Sequence, residues 1–286
     1  MVNYVQYLYK NWSNNLRSVT MQNRNNVYLF HNNTPDIQEL LAKINHLAAD
    51  YDFMIVDDPK KANIIASIGG DGTFLQAVRK TGFRDDCLYA GISANGKLHM
   101  YCDFSLSDRD TIMQNLNSEE IEVRKYPIIQ VTLDKQPSFH CLNELSIRSS
   151  IIKTFVLDIF IDDLHFETFL GDGIVISTPT GSTAHNKSMN GAVVDPLLPC
   201  FQVSELASLN NNIYRTLGSS FILSGSRKLT LKIGDSMNTN PIIGLDNEAL
   251  AVNGLKQIDI SLSSRVIKTV KLKDNSFWEK VKRTFL

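Results

Sequence analysis

NIIASIGGDGTFL, residues 63–75, is the stretch of sequence that decides the fold. Its apolar half, Asn63 to Ile68, is short enough for a buried parallel strand. The strand runs directly into Gly69-Gly70-Asp71-Gly72, and Thr73 to Lys80 has the pattern of a helix. Glycines let a backbone approach an anion closely, and the start of a helix turns free N–H groups towards it. The stretch therefore predicts a strand–loop–helix unit that cradles a phosphate.

The aspartate inside this loop, Asp71, requires a chemical reason, because a carboxylate repels phosphate. A role as general base, or as a partner of magnesium, supplies that reason. The structural alternative is an ordinary strand-to-helix turn in which Asp71 caps the helix. The loop lacks the lysine of a P-loop and the spacing of a Rossmann fingerprint, so neither pattern decides between these interpretations.

Around the loop, short apolar runs alternate with helical patterns. The β-like runs are Val27–Phe30, Phe53–Val56 and Leu88–Ile92. After the first of them, Thr34 is suited to cap a helix that Pro35 opens. Strands and helices that alternate in this way are typical of an open α/β sheet.

In the rest of the chain the pattern changes to short β-like runs, which predict a mostly β second domain. Two stretches have a helical pattern, Ala184–Met189 and Ser204–Leu209. The final segment has Phe277, Val281 and Phe285 at four-residue steps, and we expect this helix to pack back onto the first domain. The predicted strands are Ile128–Leu133, Leu142–Ile147, Phe155–Ile161, Ile174–Ser177, Leu229–Ile233 and Ile258–Leu262.

Composition argues against several classes of function. A chain of 286 residues with 43% apolar residues can bury two medium-sized cores. Its 29 basic and 30 acidic residues are mixed along the chain, which argues against a nucleic-acid surface. The four cysteines lack metal-ligand spacing and predict buried thiols. Without an apolar run of membrane length or a signal-peptide core, we expect a cytoplasmic protein with no membrane partner.

Three further polar segments interrupt the β-rich region. Asn143-Glu144 is a polar pair in an apolar strand, and Gly171-Asp172-Gly173 lies before another strand. The loop Thr178–Ala184, TPTGSTA, follows that strand and precedes a helical stretch. Its hydroxyls are suited to ribose and adenine edges or to phosphate, although ordinary loop and cap chemistry uses the same residues.

Taken in this order and spacing, the loop Gly69–Thr73 and these three segments resemble the bacterial NAD kinases. The GGDGT loop alone is shared with diacylglycerol and sphingosine kinases, whereas TPTGSTA combined with Asn-Glu is highly specific. The resemblance runs from about Val27 to the end of the chain. It includes Gly218-Ser219-Ser220-Phe221, Leu245-Asp246 and Phe277-Trp278.

The resemblance implies a fold and an activity. The fold is a Rossmann-like α/β domain followed by a β-sandwich domain, assembled as a homodimer or homotetramer. The activity is transfer of the terminal phosphate of ATP, with Mg²⁺ or another divalent cation, to the 2′-hydroxyl of the adenosine ribose of NAD, which forms NADP. The domain boundaries we predict are a polar extension at 1–24, the α/β domain at 25–104, the β-rich NAD-binding domain at 105–265 and a returning segment at 266–286.

Site residues carry over from the family position by position. Asp71 is the catalytic base or positioner beside the 2′-hydroxyl. Asn143 and Thr183 contact the adenine side, and Glu144 the ribose hydroxyls. Asp172 meets the nicotinamide end, in its own or a neighbouring subunit's site. The implied phosphate loop is Gly69, Gly70, Gly72 and Thr73. The implied NAD-binding set is Asp71, Gly72, Asn143, Glu144, Asp172, Thr183, Ala184, His185 and Ser188, and no metal ligand is implied.

The chain departs from the family pattern around this pocket. The usual Gly-Ile-Asn-Thr-Gly turn and the Leu-Gly-Phe after it are replaced by Ser93–Tyr101, SANGKLHMY. His185 stands where a tyrosine is usual, and Asn190-Gly191 where many members have two glycines. The altered turn leaves a catalytically weak NAD(P)-binding regulatory protein as an alternative to an NAD kinase. The shared GGDGT loop leaves a diacylglycerol-type lipid kinase as another. The phosphate donor, the use of NADH and the oligomer size stay open.

Overall fold

The computed structural model of the chain describes residues 26–33, 35, 37–50, 53–105, 121–134, 136–149, 154–234 and 241–286. The chain divides into two compact units. An α/β unit comprises the described residues within Met1–Thr81, Asp86–Val123 and Val270–Lys280. A sandwich unit comprises those within Gly82–Asp85, Arg124–Thr269 and Val281–Leu286. The predicted extension at 1–24 and the predicted helix cap Thr34 lie outside the described residues.

The α/β unit is built on a parallel sheet with the strand order β5–β4–β3–β1–β2. The helix α2 begins at Asp71, two residues before the predicted start. The strands and helices are β1 (Asn26–His31), α1 (Ile37–Asp50), β2 (Met54–Ile55), β3 (Ile64–Gly69), α2 (Asp71–Lys80), β4 (Leu88–Ser93) and β5 (Cys102–Ser105).

The central strand β3 is buried along its length, as expected for a strand with parallel neighbours on both sides. Ile68 packs with Ile37 and Ile44 of α1 in a small core. At the other side of the sheet, Gly91 of β4 has no room for a side chain, because a Cβ atom there would lie 2.3 Å from the carbonyl oxygen of Tyr101. This glycine therefore permits the close approach of the segment that leads into β5.

The sandwich unit consists of two packed sheets. One has the strand order β13–β12–β11–β8–β15–β16 and is antiparallel throughout; the other contains β10–β9–β14–β17, and β6 pairs with β7 and β17. The strands are β6 (Ile121–Leu133), β7 (Phe139–Cys141), β8 (Glu144–Arg148), β9 (Phe155–Ile161), β10 (Leu164–Gly171), β11 (Gly173–Ser177), β12 (Cys200–Leu206), β13 (Phe221–Ser224), β14 (Lys228–Ile233), β15 (Ile242–Leu245), β16 (Glu248–Ala251) and β17 (Gln257–Leu272).

Alternating apolar residues of both sheets form the core of the sandwich, among them Ile147, Phe169, Ile176, Val203 and Leu231. Each of these side chains is buried. The packing of two sheets over one apolar layer is the arrangement expected for a β-sandwich. The predicted fold class, α/β plus β-sandwich, is confirmed.

Among the described residues that follow β5, two segments are α-helical. α3 (His185–Ser188) lies within the predicted helical stretch, and α4 (Phe277–Phe285) is the last helix. The helix predicted at Ser204–Leu209 is wrong: residues up to Leu206 belong to β12 and pair with β11. Pairing with a neighbouring strand overrode the local pattern there. No helix among the described ranges is long and apolar enough to cross a membrane.

Candidate active site

The glycine loop joins β3 to α2, as the sequence predicted. Gly69 has a φ of +152°, and a Cβ atom on it would lie 2.4 Å from Thr73 Oγ1, so a side chain there is excluded by the loop itself. Gly70 and Gly72 are different, because a Cβ on either would meet nothing within 4 Å. Their bare backbone borders open space at the start of a helix, where an anion can approach N–H groups directly.

Asp71 does not cap α2, so the structural alternative for this residue is wrong. The N-cap position is Gly70, without a side-chain hydrogen bond, and Asp71 is the first residue of the helix. The Asp71 carboxylate instead accepts two backbone N–H groups, from Met100 to Oδ2 at 3.1 Å and from Tyr101 to Oδ1 at 2.8 Å. The turn that departs from the family pattern is thus the one that holds the predicted catalytic carboxylate.

In the sandwich unit, the TPTGSTA loop packs directly on Asn143. A Cβ atom on Gly181 would lie 2.0 Å from the Asn143 carbonyl oxygen, so only glycine allows the contact. Thr178 and Thr180 donate their hydroxyls to the carbonyl oxygen of Leu142, at 2.6 and 3.1 Å. These hydroxyls hold the loop against the Asn143-Glu144 segment, so the suggestion that they face a ligand does not apply to them.

Ser182 is also used internally, because its hydroxyl accepts the N–H of Val194 at 2.9 Å and donates to the Pro179 carbonyl at 2.6 Å. Thr183 is half-buried and donates to the Thr180 carbonyl at 3.3 Å. Ala184 follows it and accepts the N–H of Lys187 at the start of α3. Thr183 and Ala184, two of the predicted NAD-binding residues, thus belong to the loop whose Gly181 packs on Asn143.

Asp246 organises the Asn143-Glu144 segment, a role that sequence reasoning missed. Its carboxylate accepts three backbone N–H groups, from Leu142 at 3.1 Å, Asn143 at 2.7 Å and Glu144 at 3.2 Å. Asp246 has a φ of +53°, which aspartate tolerates better than most residues. An aspartate directly after the short apolar run that ends at Leu245 was the available signal, because aspartate at a turn often binds nearby backbone N–H groups.

Glu144 is a buried carboxyl, 8% exposed, at the start of β8. Its Oε2 atom is buried and has no hydrogen-bond partner among the described residues. Burial, and secondly the charge of Asp246, raises the pKa of Glu144 to about 8. A buried polar atom without a partner is costly, so this oxygen is poised to accept or donate a hydrogen bond to a bound hydroxyl.

The raised pKa of Glu144 has a measurable consequence for stability. Between the unfolded pKa of about 4.3 and the folded value near 8, the folded chain keeps a proton that the unfolded chain has released, so the free energy of unfolding falls as pH rises. Glu144→Gln removes this titration. We expect the variant to gain stability relative to the wild type from pH 6 to pH 9, by on the order of 2 kcal/mol. Urea unfolding of wild type and variant at pH 6 and at pH 9 measures this gain, with the exposed Glu279→Gln as control. A difference in unfolding free energy between wild type and Glu144→Gln that is the same at both pH values would contradict the prediction.

Two of the remaining predicted residues, Asp172 and His185, lie near Arg148 at the far end of β8. Arg148 pairs with Gly173 in the sheet, and its Nη2 contacts Nε2 of His185. Burial, and secondly the Arg148 charge, lowers the pKa of His185. Asp172 is exposed, and its backbone is held by bonds to Leu206 and Ser149. Ser188 is exposed at the end of α3.

Comparisons with known proteins agree with these motifs. A family model described as the ATP-NAD kinase C-terminal domain matches residues 142–272. NAD kinase 2 of Bacillus subtilis (strain 168) is 66% identical over 263 residues, which are 92% of this chain and 98% of the relative. NAD kinase 2 of Geobacillus kaustophilus (strain HTA426) is 61% identical with the same shares.

Two solved structures have a similar fold. Yeast NADH kinase, crystallised with NADH, has a TM-score of 0.75 and 22% identity, over 92% of this chain and 88% of that one. An NAD kinase from Archaeoglobus fulgidus, in complex with ATP, has a TM-score of 0.69 and 20% identity, over 90% and 98%. With a relative 66% identical across nearly its whole length, the chain belongs to the NAD kinase family, as its motifs predicted.

Proposed function

We propose that the chain is an NAD kinase, which transfers the terminal phosphate of ATP to the 2′-hydroxyl of the adenosine ribose of NAD. The observation that carries this proposal is the buried Glu144 carboxyl, whose Oε2 has no partner among the described residues. A ribose presents hydroxyls that both donate and accept, and such a group is the natural partner for this oxygen. Asn143 is adjacent in the chain and suited to the adenine edge.

In the proposed reaction, Asp71 acts on the accepting hydroxyl. The 2′-oxygen forms a bond to the terminal phosphorus as its proton passes to the carboxylate, and the bond from that phosphorus to the bridging oxygen of ATP breaks, giving ADP and NADP. Each Asp71 oxygen accepts one N–H group. A carboxylate offers about four acceptor sites, so capacity for the hydroxyl proton remains. Gly70 and Gly72 leave backbone exposed for the phosphates.

The donor is proposed to enter as its complex with Mg²⁺ or another divalent cation. Within the described part of the chain, no group of three or more His, Cys, Asp or Glu side chains could hold a metal ion. We assign the cation to the phosphates of the donor, which is a common mode of binding for Mg²⁺ in kinases. Residues 25–104 are proposed to handle these phosphates and residues 105–265 the dinucleotide, with His185 and Ser188 near its adenine and ribose and Asp172 at its nicotinamide end.

A coupled assay of NADP formation by the purified chain tests the proposal, with NAD, NADH and diacylglycerol as acceptors and ATP or polyphosphate as donors. NADP formation from NAD is the expected result. Phosphorylation of diacylglycerol would favour a lipid kinase instead. NAD binding without turnover would indicate the regulatory protein. The relatives named NAD kinase 2, and the Asn143-Glu144 segment that a lipid kinase does not need, favour the first outcome.

The enzyme is further proposed to be cytoplasmic and a homodimer or homotetramer. The sandwich unit exposes several large apolar side chains, which a second subunit would remove from water. They are Leu164, Phe166, Leu209, Ile213, Leu217 and Ile222. We expect sedimentation at micromolar concentration to give a dimer or tetramer with activity that falls on dilution. A fully active monomer of 32.2 kDa would contradict this prediction.

A further inference from the structure

Two lysines and an aspartate are buried together in the α/β unit. Lys271 is 0% exposed, Lys280 1% and Asp103 2%. Both ammonium groups contact the same carboxylate oxygen, Asp103 Oδ1, Lys271 at 3.2 Å and Lys280 at 2.5 Å. The other oxygen of Asp103 accepts the N–H of Leu272 at 3.1 Å. Fully buried lysines are rare because desolvation of an ammonium group is costly, so this cluster calls for compensating contacts.

Both ammonium groups also donate to carbonyl oxygens of residues 100 and 101, the segment whose N–H groups bind Asp71. Lys280 donates to the carbonyl oxygen of Met100 at 3.0 Å, and Lys271 to that of Tyr101 at 2.6 Å. The Met100 carbonyl and the Tyr101 N–H belong to one peptide group. That single peptide is therefore bonded to Lys280 at its oxygen and to Asp71 at its nitrogen. Hydrogen bonds in such a chain polarise and strengthen one another in a low dielectric.

The contacts of these groups form one connected chain. The two ammonium groups share the carboxylate of Asp103. Asp71 is the carboxylate at the far end of the peptide that Lys280 binds. Lys280 thus orients the Tyr101 N–H that Asp71 accepts, and Lys271 holds the carbonyl of the next peptide.

We propose that Lys280 is a positioning residue for Asp71, acting through the Met100–Tyr101 peptide, with Lys271 and Asp103 completing the support. The proposal rests on the catalytic role proposed for Asp71. It gives the last helix, α4, a part in turnover, because Lys280 is its only buried residue among the described side chains. The competing explanation is that the cluster merely anchors the C-terminal segment and affects stability alone.

The test is a double-mutant cycle between Lys280→Met and Asp71→Asn, with kcat, the KM values for NAD and ATP, and the melting temperature measured for each variant. In the wild-type background we expect Lys280→Met to lower kcat about tenfold, within the range of coupling in one hydrogen-bond network, with both KM values within about twofold. In the Asp71→Asn background the same change should leave kcat unaltered. Exposed Lys282→Met on the same helix is the matched control and should leave all parameters unchanged.

The outcomes separate the two proposals. An equal loss of kcat from Lys280→Met in both backgrounds, or a lowered melting temperature with wild-type kcat, would overturn the positioning role. Near wild-type kcat in Asp71→Asn alone would instead overturn the proposed function of Asp71. Where Lys280→Met does not fold, Lys271→Met takes its place in the cycle with the same criteria, since it removes the donor to the next carbonyl along the chain.

Discussion

Replacing Asp71 with asparagine is expected to lower kcat by at least about 100-fold, the lower bound for loss of a general base. The amide keeps the shape of the side chain but removes its charge and basicity. Because phosphate no longer meets a carboxylate in the loop, ATP binding should hold or tighten, and NAD binding should change little. Single-turnover kinetics and calorimetric titration with NAD measure the two quantities separately.

The structure indicates that Asp71→Asn also lowers the stability of the fold, which the sequence did not reveal. Both Asp71 oxygens accept an N–H group, whereas an asparagine amide can accept at one oxygen only and turns N–H against the other donor. We therefore expect Asp71→Asn to lose about 1–2 kcal/mol of unfolding free energy as well. Asp58→Asn is the matched control, since the Asp58 carboxylate also accepts a backbone N–H, from Lys60 at 2.9 Å. A folded Asp71→Asn enzyme with near wild-type kcat would leave Asp71 only the task of holding residues 100–101.

Removing the Asp246 carboxylate is expected to be the second large effect. Asp246→Ala leaves three N–H groups of the buried Leu142–Glu144 segment without their acceptor, at about 1–3 kcal/mol for each group that water does not reach. We expect unfolding free energy to fall by about 3 kcal/mol. Because the segment carries Asn143 and Glu144, the KM for NAD should rise at least about tenfold, with a smaller change in the KM for ATP.

Asp162→Ala is a close control for this experiment. Asp162 has a φ of +55°, against +53° for Asp246, and its carboxylate also accepts a backbone N–H, from Lys228 at 2.9 Å. Asp162 lies at an exposed hairpin. The two variants therefore share the backbone strain of an alanine at positive φ but differ in burial. We expect Asp162→Ala to lose less stability than Asp246→Ala, because the contacts of the Asp162 carboxylate with the Lys228 N–H and with Arg227 are exposed, and we expect an unchanged KM for NAD. Equal effects of the two variants on the KM would contradict a positioning role for Asp246.

Local sequence signals were sufficient for the parts of the fold that local physics determines. The run from Ile64 to Gly69 is a strand and the residues after it a helix, because a short apolar run bounded by glycines favours a buried strand before a turn. The prediction of β9 at Phe155–Ile161 matched the structure at both ends, since its alternation reflects one face turned to the core. The stretch Ser204–Leu209 failed for the opposite reason, because its strand forms only by pairing with β11.

Within the candidate site, too, local sequence predicted some features and only tertiary contacts decided others. The sequence identified Asp71, Asn143 and Glu144 as chemically unusual. Asp71 is a carboxylate among the glycines of a predicted phosphate loop. Asn143 and Glu144 are polar residues in an apolar strand, where they predicted either a ligand site or a buried polar pair. For the hydroxyls of Thr178 and Thr180 it left both ligand contact and ordinary loop chemistry open, and the structure directs these hydroxyls at the carbonyl oxygen of Leu142. A hydroxyl that binds backbone and one that binds substrate have the same signature in sequence, and only the neighbouring strand distinguishes them.

By itself, the sequence determined the glycine loop, the α/β-then-β order and the family, because each depends on residues close together in the chain or on motif identity. Only the tertiary structure decided how the site is held. Asp71 is bound by N–H groups 29 and 30 residues away, Asn143 by a carboxylate 103 residues away, and Lys280 reaches across 180 residues to Met100. Contacts at such separations have no periodicity and no spacing rule, since they arise where segments from distant parts of the chain meet in the folded protein.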